Sequence, residues 1–93
     1  MRRASRKDST HQPIERALQA LGWTTHDTSR LGENFPDMIA AKRGITILVE
    51  CKTGKRKLSE GQQEFYQTWN GKVYVARSID DVLTINHQAM EGV

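Results

Sequence analysis

The sequence predicts a mixed α/β domain in which helices flank one β-sheet. Segments with helical spacing alternate with segments rich in β-branched residues, in the order α-β-β-β-α-β-α. The helix between the third and fourth strands makes a β-α-β crossover, which predicts that these strands are parallel and that their connection is right-handed. The chain of 93 residues has the length of one small domain.

A helix is expected near the start of the chain. Pro13 suits the first turn of a helix, and Gly22 suits its end. Four apolar residues between them fall at helical spacing and would form one buried stripe. These residues are Ile14, Ala17, Leu18 and Leu21.

Three strands are expected next. The candidates are residues 23–28, 37–41 and 45–52, and the first of them is short with aromatic and β-branched residues. Lys42-Arg43-Gly44 separates the last two and predicts a hairpin turn.

A second helix is expected after Ser59-Glu60-Gly61-Gln62, because this segment has the S-x-x-Q pattern of a capping box. Phe65, Tyr66 and Trp69 give that helix an apolar side. Aromatic residues at this spacing are expected in the core more often than in a base-stacking platform. Tyr66 and Trp69 could instead belong to a dimer face. Asn70-Gly71 predicts the end of the helix.

The last elements are a strand at residues 72–76 and a helix that Ser78 would cap. Val82, Leu83 and Ile85 would pack this helix against the sheet. The tail after Asn86 is expected to be loose.

Composition favours a soluble, cytoplasmic protein. Hydrophobic residues make up 37% of the chain, and its longest uncharged apolar stretch, ITILV, is too short to span a membrane. The single cysteine excludes an internal disulfide. The sequence has no Cys-x-x-Cys pattern, which would have indicated a zinc site. His11, His26 and His87 show no ligand spacing, so no role is assigned to them.

Basic residues form two clusters in a chain with a net charge of +3, a mild indication of a polyanionic partner. One cluster lies in residues 1–10, which are expected to form a flexible terminus before a single domain at residues 11–93. The other is Lys55, Arg56 and Lys57. Taken alone, each cluster is equally well explained as a solvated tail or loop.

Charged residues lie on the third strand candidate, where apolar ones are expected. Alternation places Glu50 and Lys52 on one face, about 6.5–7 Å apart at the backbone. Hairpin pairing can bring Asp37 to the same region. Four other residues share the opposite face, where Cys51 is expected to be a small core residue. They are Ile45, Ile47, Val49 and Cys51.

Asp37, Glu50 and Lys52 indicate metal-assisted hydrolysis of a phosphate ester. Two neighbouring carboxylates repel each other unless a divalent cation lies between them. Mg²⁺ prefers oxygen ligands, and the backbone carbonyl of Cys51 could supply another. A lysine beside such a site can orient water or stabilise charge on a phosphate.

The chain contains a pattern that resembles the PD-(D/E)XK nuclease motif. In this pattern, twelve residues separate Pro36-Asp37 from Glu50-Cys51-Lys52. The order of elements resembles the α-β-β-β-α-β core of that restriction-endonuclease-like fold. More narrowly, residues 12–85 resemble stand-alone VRR-NUC domain proteins, which phages often encode, in E-C-K-T-G, L-S-E-G-Q and V-A-R-S-I-D-D-V-L. Cys51 replaces the Val or Ile that is common between the Glu and the Lys, a change on the core face.

The resemblance implies roles for five side chains. Asp37 and Glu50 would bind Mg²⁺ or Mn²⁺, and Lys52 would act on the attacking water or the phosphate. Glu15 would complete the acidic cluster directly or through water. Gln62 would face the site from the second helix.

The resemblance also implies a DNA endonuclease that acts on branched DNA such as Holliday junctions, as a homodimer in the cytoplasm of a bacterial host. Lys55, Arg56, Lys57 and Arg30 would contact the DNA backbone without reading its sequence. No base-reading module is apparent.

Simpler interpretations exist for each site residue. Asp37 could be a turn residue, and Glu50 and Lys52 could be a solvent-exposed ion pair, which would stabilise little. The capping box alone explains Gln62, and Gln63 is a neighbouring alternative for the site role.

Glu15 could simply be exposed on its helix.

Two other functions also fit the chain: a non-catalytic nucleic-acid-binding domain on a nuclease-like fold, and an accessory protein whose charged strand face forms a subunit contact.

Overall fold

The computed structural model describes residues 9–92 as one four-stranded sheet with three helices. The strands lie in the order β1-β2-β3-β4, with antiparallel pairing except for the parallel pair β3–β4. The predicted parallel pair is therefore confirmed. The elements are α1 His11–Ala20, β1 Thr24–Asp27, β2 Met38–Lys42, β3 Ile45–Cys51, α2 Glu60–Thr68, β4 Lys72–Ala76 and α3 Ile79–Met90. None of these helices is both long and apolar enough to cross a membrane.

A two-residue turn sets the register of the β2–β3 hairpin. Lys42 pairs with Ile45, so Arg43 and Gly44 alone connect the strands. Both have positive φ, 53° and 84°, as a type I′ turn requires. Gly44 adopts this conformation readily, whereas Arg43 is strained there. The predicted turn is confirmed, although Lys42 belongs to the strand.

The core lies between one face of the sheet and helices α1 and α3. The apolar stripe of α1 contributes Ile14 and Leu18, each at most 1% exposed. The facing side of β3 contributes Ile47, Val49 and Cys51, as alternation along the strand predicts. One hydrophobic layer therefore holds two helices against the sheet.

Helix α2 lies on the other face of the sheet and has no fully buried residue. Its aromatic side chains were expected in the core, but Tyr66 and Trp69 are 40% and 42% exposed. Phe65 stacks on Trp69 at a centroid distance of 5.2 Å, and Phe35 meets Phe65 edge-on at 5.4 Å. The expectation of core burial was wrong for Tyr66 and Trp69. Helical spacing identifies the apolar side of a helix, but it does not show whether another element packs on that side.

Gly61 lets the loop before β2 pack against the first turn of α2. A Cβ at this position would collide with the side chain of Asn34. The glycine inside the capping box therefore has a packing role, and α2 is held next to the loop that leads to Asp37.

The expected loose tail after Asn86 is instead the second half of α3. Ala89 is completely buried in the core, and the helix continues to Met90. The Asn86 side chain accepts hydrogen bonds of 3.0 Å from the Trp23 indole and from the Lys42 ammonium. These contacts with distant parts of the chain hold the segment in place.

The strained turn yields a prediction for stability. Arg43→Asn should raise the free energy of unfolding by about 1 kcal/mol, because asparagine adopts positive φ at lower cost than arginine. Thermal denaturation should show a melting temperature higher by about 4–8 °C. Arg30→Asn, an exposed loop position without positive φ, is the matched control and should change little. An unchanged melting temperature for Arg43→Asn would contradict the turn geometry.

Candidate functional site

Asp37 follows buried Pro36 and immediately precedes β2. Its Oδ2 accepts a hydrogen bond of 2.8 Å from the backbone N–H of Cys51, the last residue of β3. The carboxylate thus supplies an acceptor at the point where the β2–β3 ladder ends, and the Cys51 N–H is not left without a partner. The sequence predicted that Asp37 comes near the end of β3, and this hydrogen bond is the contact that joins them.

Asp37 and Glu50 lie at the same end of the β2–β3 hairpin. Met38, the first residue of β2, pairs with Val49. Asp37 directly precedes Met38 and Glu50 directly follows Val49. The hairpin hypothesis expects both acids in this region.

Glu50 is buried on the face covered by α2, with 7% of the residue exposed. Its Oε2 accepts a hydrogen bond of 3.0 Å from Gln62 Nε2. A buried carboxylate needs such donors, because an unsolvated charge is costly. The first turn of α2 is therefore coupled directly to the acidic side chain of β3.

Gln62 serves the capping box and Glu50 at the same time. Its Oε1 accepts from the Ser59 N–H at 2.9 Å, and its backbone N–H donates to the Ser59 hydroxyl at 3.1 Å. Because the amide oxygen faces the Ser59 N–H, the amide nitrogen remains for Glu50. The two interpretations of Gln62 are thus compatible. The alternative residue, Gln63, bonds instead to the carbonyl of Leu58.

Lys52 is also buried, with 7% of the residue exposed. Its backbone N–H donates to the Ala76 carbonyl at 3.1 Å, and its own carbonyl accepts from the Thr10 hydroxyl at 3.3 Å. Among residues 9–92 its ammonium forms no ion pair. The simpler interpretation of Glu50 and Lys52 as a solvent-exposed ion pair is therefore wrong, because both residues are buried.

Glu15 lies on α1 with 23% of its side chain exposed, between Thr25 and His11. Thr25 donates a hydrogen bond of 2.8 Å to Oε2, and His11 Nε2 lies 3.8 Å from Oε1. Glu15 is thus on the α1 face of the sheet, whereas Glu50 meets α2. Its predicted supporting role stays a prediction.

His11, to which the sequence assigned no role, lies in this region. It is 2% exposed, and neither ring nitrogen has a hydrogen-bond partner among residues 9–92. One ring nitrogen, the Cys51 sulfur and an Asp37 carboxylate oxygen lie within 4.8 Å of one another. The available sequence signal was the helical stripe of α1, since His11 lies one turn before Ile14 on the same face.

The basic loop after β3 is exposed but anchored. Lys55, Arg56 and Lys57 are all exposed. Arg77 Nη1 donates to the carbonyls of Gly54 at 2.9 Å and Arg56 at 2.6 Å, which ties this loop to the end of β4.

Arg30 is exposed in the loop before β2. Two histidines that were given no role, His26 and His87, are exposed as well. The N-terminal basic cluster lies outside the described residues and comprises Arg2, Arg3, Arg6 and Lys7.

Comparisons with known proteins identify the fold. A solved structure described as a VRR_NUC domain superposes with a TM-score of 0.71 and covers 84% of this chain and 90% of its own. The fold is that of a VRR_NUC domain. The two sequences are 21% identical, a level at which the likeness establishes architecture alone. No protein-family model and no curated protein sequence matches the chain.

The VRR_NUC fold agrees with the predicted restriction-endonuclease-like α/β class. On this fold, the oxygen donors of the residues around Asp37 suit a hard divalent cation. Asp37, just before β2, and Glu50, on β3, would supply carboxylate oxygens, and the Cys51 carbonyl, between Glu50 and Lys52, could supply another. Carboxylate and carbonyl oxygens are the donors that Mg²⁺ and Mn²⁺ prefer.

The double role of Gln62 yields a prediction. Gln62→Glu should keep the acceptor for the Ser59 N–H but replace the donor to Glu50 with a like charge. The free energy of unfolding at neutral pH should fall by about 2 kcal/mol, because a hydrogen bond to a charged group is lost. Urea unfolding at several pH values measures this, and the deficit should shrink in acid as protonation removes the repulsion.

Gln67→Glu, an exposed change on the same helix, is the control and should have a much smaller effect. Equal effects of the two variants at neutral pH would contradict the Glu50 contact.

Proposed function

We propose that the protein is a DNA endonuclease that hydrolyses phosphodiester bonds with Mg²⁺ or Mn²⁺ and recognises DNA structure more than sequence. The observation that carries this proposal is the arrangement at the end of the β2–β3 hairpin. Asp37, just before β2, accepts a hydrogen bond from the Cys51 N–H. Glu50 and Lys52 flank Cys51, and both are buried. The VRR_NUC fold supports the same function.

Asp37 and Glu50 would hold the cation. The Cys51 N–H orients one Asp37 oxygen, and Gln62 orients one Glu50 oxygen, so both carboxylates are positioned before an ion binds. When bound, the cation would polarise the scissile phosphate and lower the pKa of a coordinated water.

Lys52 would stabilise negative charge on the phosphate or orient the attacking water. Its ammonium is not neutralised by an ion pair among residues 9–92, and its burial lowers the local dielectric. A positive charge in such surroundings favours a transition state in which negative charge develops.

Exposed basic side chains next to the site would bind the DNA backbone. Lys55, Arg56 and Lys57 follow the site lysine directly, and the Arg77 hydrogen bonds limit the motion of their loop. Arg30 would add a contact from the loop that leads to Asp37. Phosphate contacts of this kind give affinity without sequence specificity.

Branched DNA, such as a Holliday junction, is the proposed substrate, and a homodimer would supply two sites for two strands. Light scattering on purified protein tests the dimer, and a monomer at cleavage-competent concentrations would contradict it. Linear, nicked and four-way DNA compared in one assay test the preference for branched substrates.

Cleavage with matched variants tests the catalytic proposal. Asp37→Asn keeps an acceptor for the Cys51 N–H but removes the charge, and Lys52→Met removes the ammonium while keeping most of the side-chain volume. Each should lower the cleavage rate with Mg²⁺ or Mn²⁺ by at least about 100-fold, and EDTA should abolish cleavage. Asp80→Asn and Lys72→Met, at exposed positions, should cleave normally.

Salt-sensitive DNA binding with no cleavage under any metal would instead support the non-catalytic binding domain. Absence of both binding and cleavage would support the accessory protein.

The basic loop can be tested by the salt dependence of binding. Replacing Lys55, Arg56 and Lys57 with alanine should weaken DNA binding and reduce the slope of log K against log salt by about 3, since each phosphate contact contributes about 0.9. The matched control removes the same charge elsewhere: Arg16, Arg43 and Lys72, all replaced by alanine. Equal slopes for the two triple variants would contradict a localised contact.

A further inference from the structure

We propose that His11, Asp37 and Cys51 form a binding site for a divalent transition-metal ion, with Zn²⁺ as the best match. Its donor set differs from that of the proposed Mg²⁺ or Mn²⁺ centre, although Asp37 would be a ligand of both, and zinc binding can be measured without any nuclease assay. The site lies on the face of the sheet that packs against α1, whereas Glu50 lies on the face covered by α2.

The three side chains are already close together. A His11 ring nitrogen, a carboxylate oxygen of Asp37 and the Cys51 sulfur lie within 4.8 Å of one another. Ligands bound to zinc at about 2.0–2.3 Å in tetrahedral geometry are about 3.5 Å apart. Side-chain movements of about 1 Å or less bring the three donors to that spacing.

The burial of His11 points to a missing ligand. His11 is 2% exposed, and within the described part of the chain both of its ring nitrogens lack a hydrogen-bond partner. A buried polar group without a partner costs about 1–3 kcal/mol. A metal ion bound to one ring nitrogen would remove part of this cost, and it explains why a histidine lies on the otherwise apolar stripe of α1.

The donor set selects the kind of ion. Imidazole nitrogen and cysteine sulfur are ligands of zinc and neighbouring transition metals, whereas Mg²⁺ requires oxygen ligands in near-octahedral geometry. Three protein ligands also leave a fourth tetrahedral position for water or another side chain.

The surroundings favour a cation. Glu15 Oε1 and Asp27 Oδ2 each lie 3.8 Å from His11 Nε2, so two further carboxylates add negative charge around the histidine. Carboxylates commonly orient histidines that bind metals. Asp37 is only partly buried, and it provides an approach for an ion to the two buried ligands.

Hydroxyl contacts hold the backbone of residues 9–10 next to that of residues 52–53. The Thr10 hydroxyl donates to the Lys52 carbonyl at 3.3 Å, and the hydroxyls of Ser9 and Thr53 lie 3.1 Å apart. These contacts fasten the first turn of α1 to the end of β3, which keeps His11 over Cys51.

Cobalt and zinc binding to the tag-free, reduced full chain test the site. Because Cys51 is the only cysteine, a thiolate-to-Co²⁺ charge-transfer band can arise from this residue alone. We expect that band in the ultraviolet, visible bands of four-coordinate Co²⁺, and displacement of both by one equivalent of Zn²⁺. A Co²⁺ spectrum without a thiolate band would overturn the proposal without the use of any variant.

Calorimetry with Zn²⁺ gives the second measurement. His11→Ala and Cys51→Ser should each weaken zinc binding by about 100-fold or more, since even loss of a supporting contact costs about 10–100-fold. His26→Ala and His87→Ala remove exposed histidines and should bind as the original chain does. Glu50→Gln should also retain zinc binding, because Glu50 is not a member of this group.

Equal affinity in Cys51→Ser, a nearly isosteric change that is checked for folding by circular dichroism, would overturn the proposal. In that case His11 would be a buried core histidine beside Glu15 and Asp27.

Discussion

The hydrogen bond from the Cys51 N–H to the Asp37 carboxylate is the contact on which the site depends. It ends the β2–β3 ladder with a side chain where a backbone carbonyl would otherwise lie. The register that makes it possible comes from the two-residue turn at Arg43-Gly44. A longer turn or a shift by one residue would exchange the two faces of β3 and move Asp37 away from Glu50.

Strand β3 combines two tasks because its two faces meet different layers. Val49 and Cys51 pack in the core against α1 and α3. Glu50 and Lys52 lie on the opposite face of the sheet, which α2 covers only in part. Such burial of two charged residues costs stability unless donors or ligands compensate it. Gln62 compensates part of the cost for Glu50.

Local signals in the sequence were sufficient for most of the fold. The hairpin turn, the Ser59 capping box and the alternation along β3 each depend on residues within a few positions of one another, and the structure contains all three. The errors concern contacts over long separations. The burial of α3 beyond Asn86 depends on Trp23 and Lys42, and the exposure of the α2 aromatics depends on the absence of a further layer in the described chain. His11 was missed for the same reason, since its neighbours come from three other segments.

The position of Asp37 has a thermodynamic consequence. Its carboxylate is grouped with His11 and Cys51, and it directly precedes the strand that pairs with the Glu50 strand. If both proposed ions bind, each would draw on the charge of this one carboxylate. Binding of either ion would then weaken binding of the other, and the two losses would be equal by reciprocity. Under the two proposals, the supply of one metal would therefore control the binding of the other.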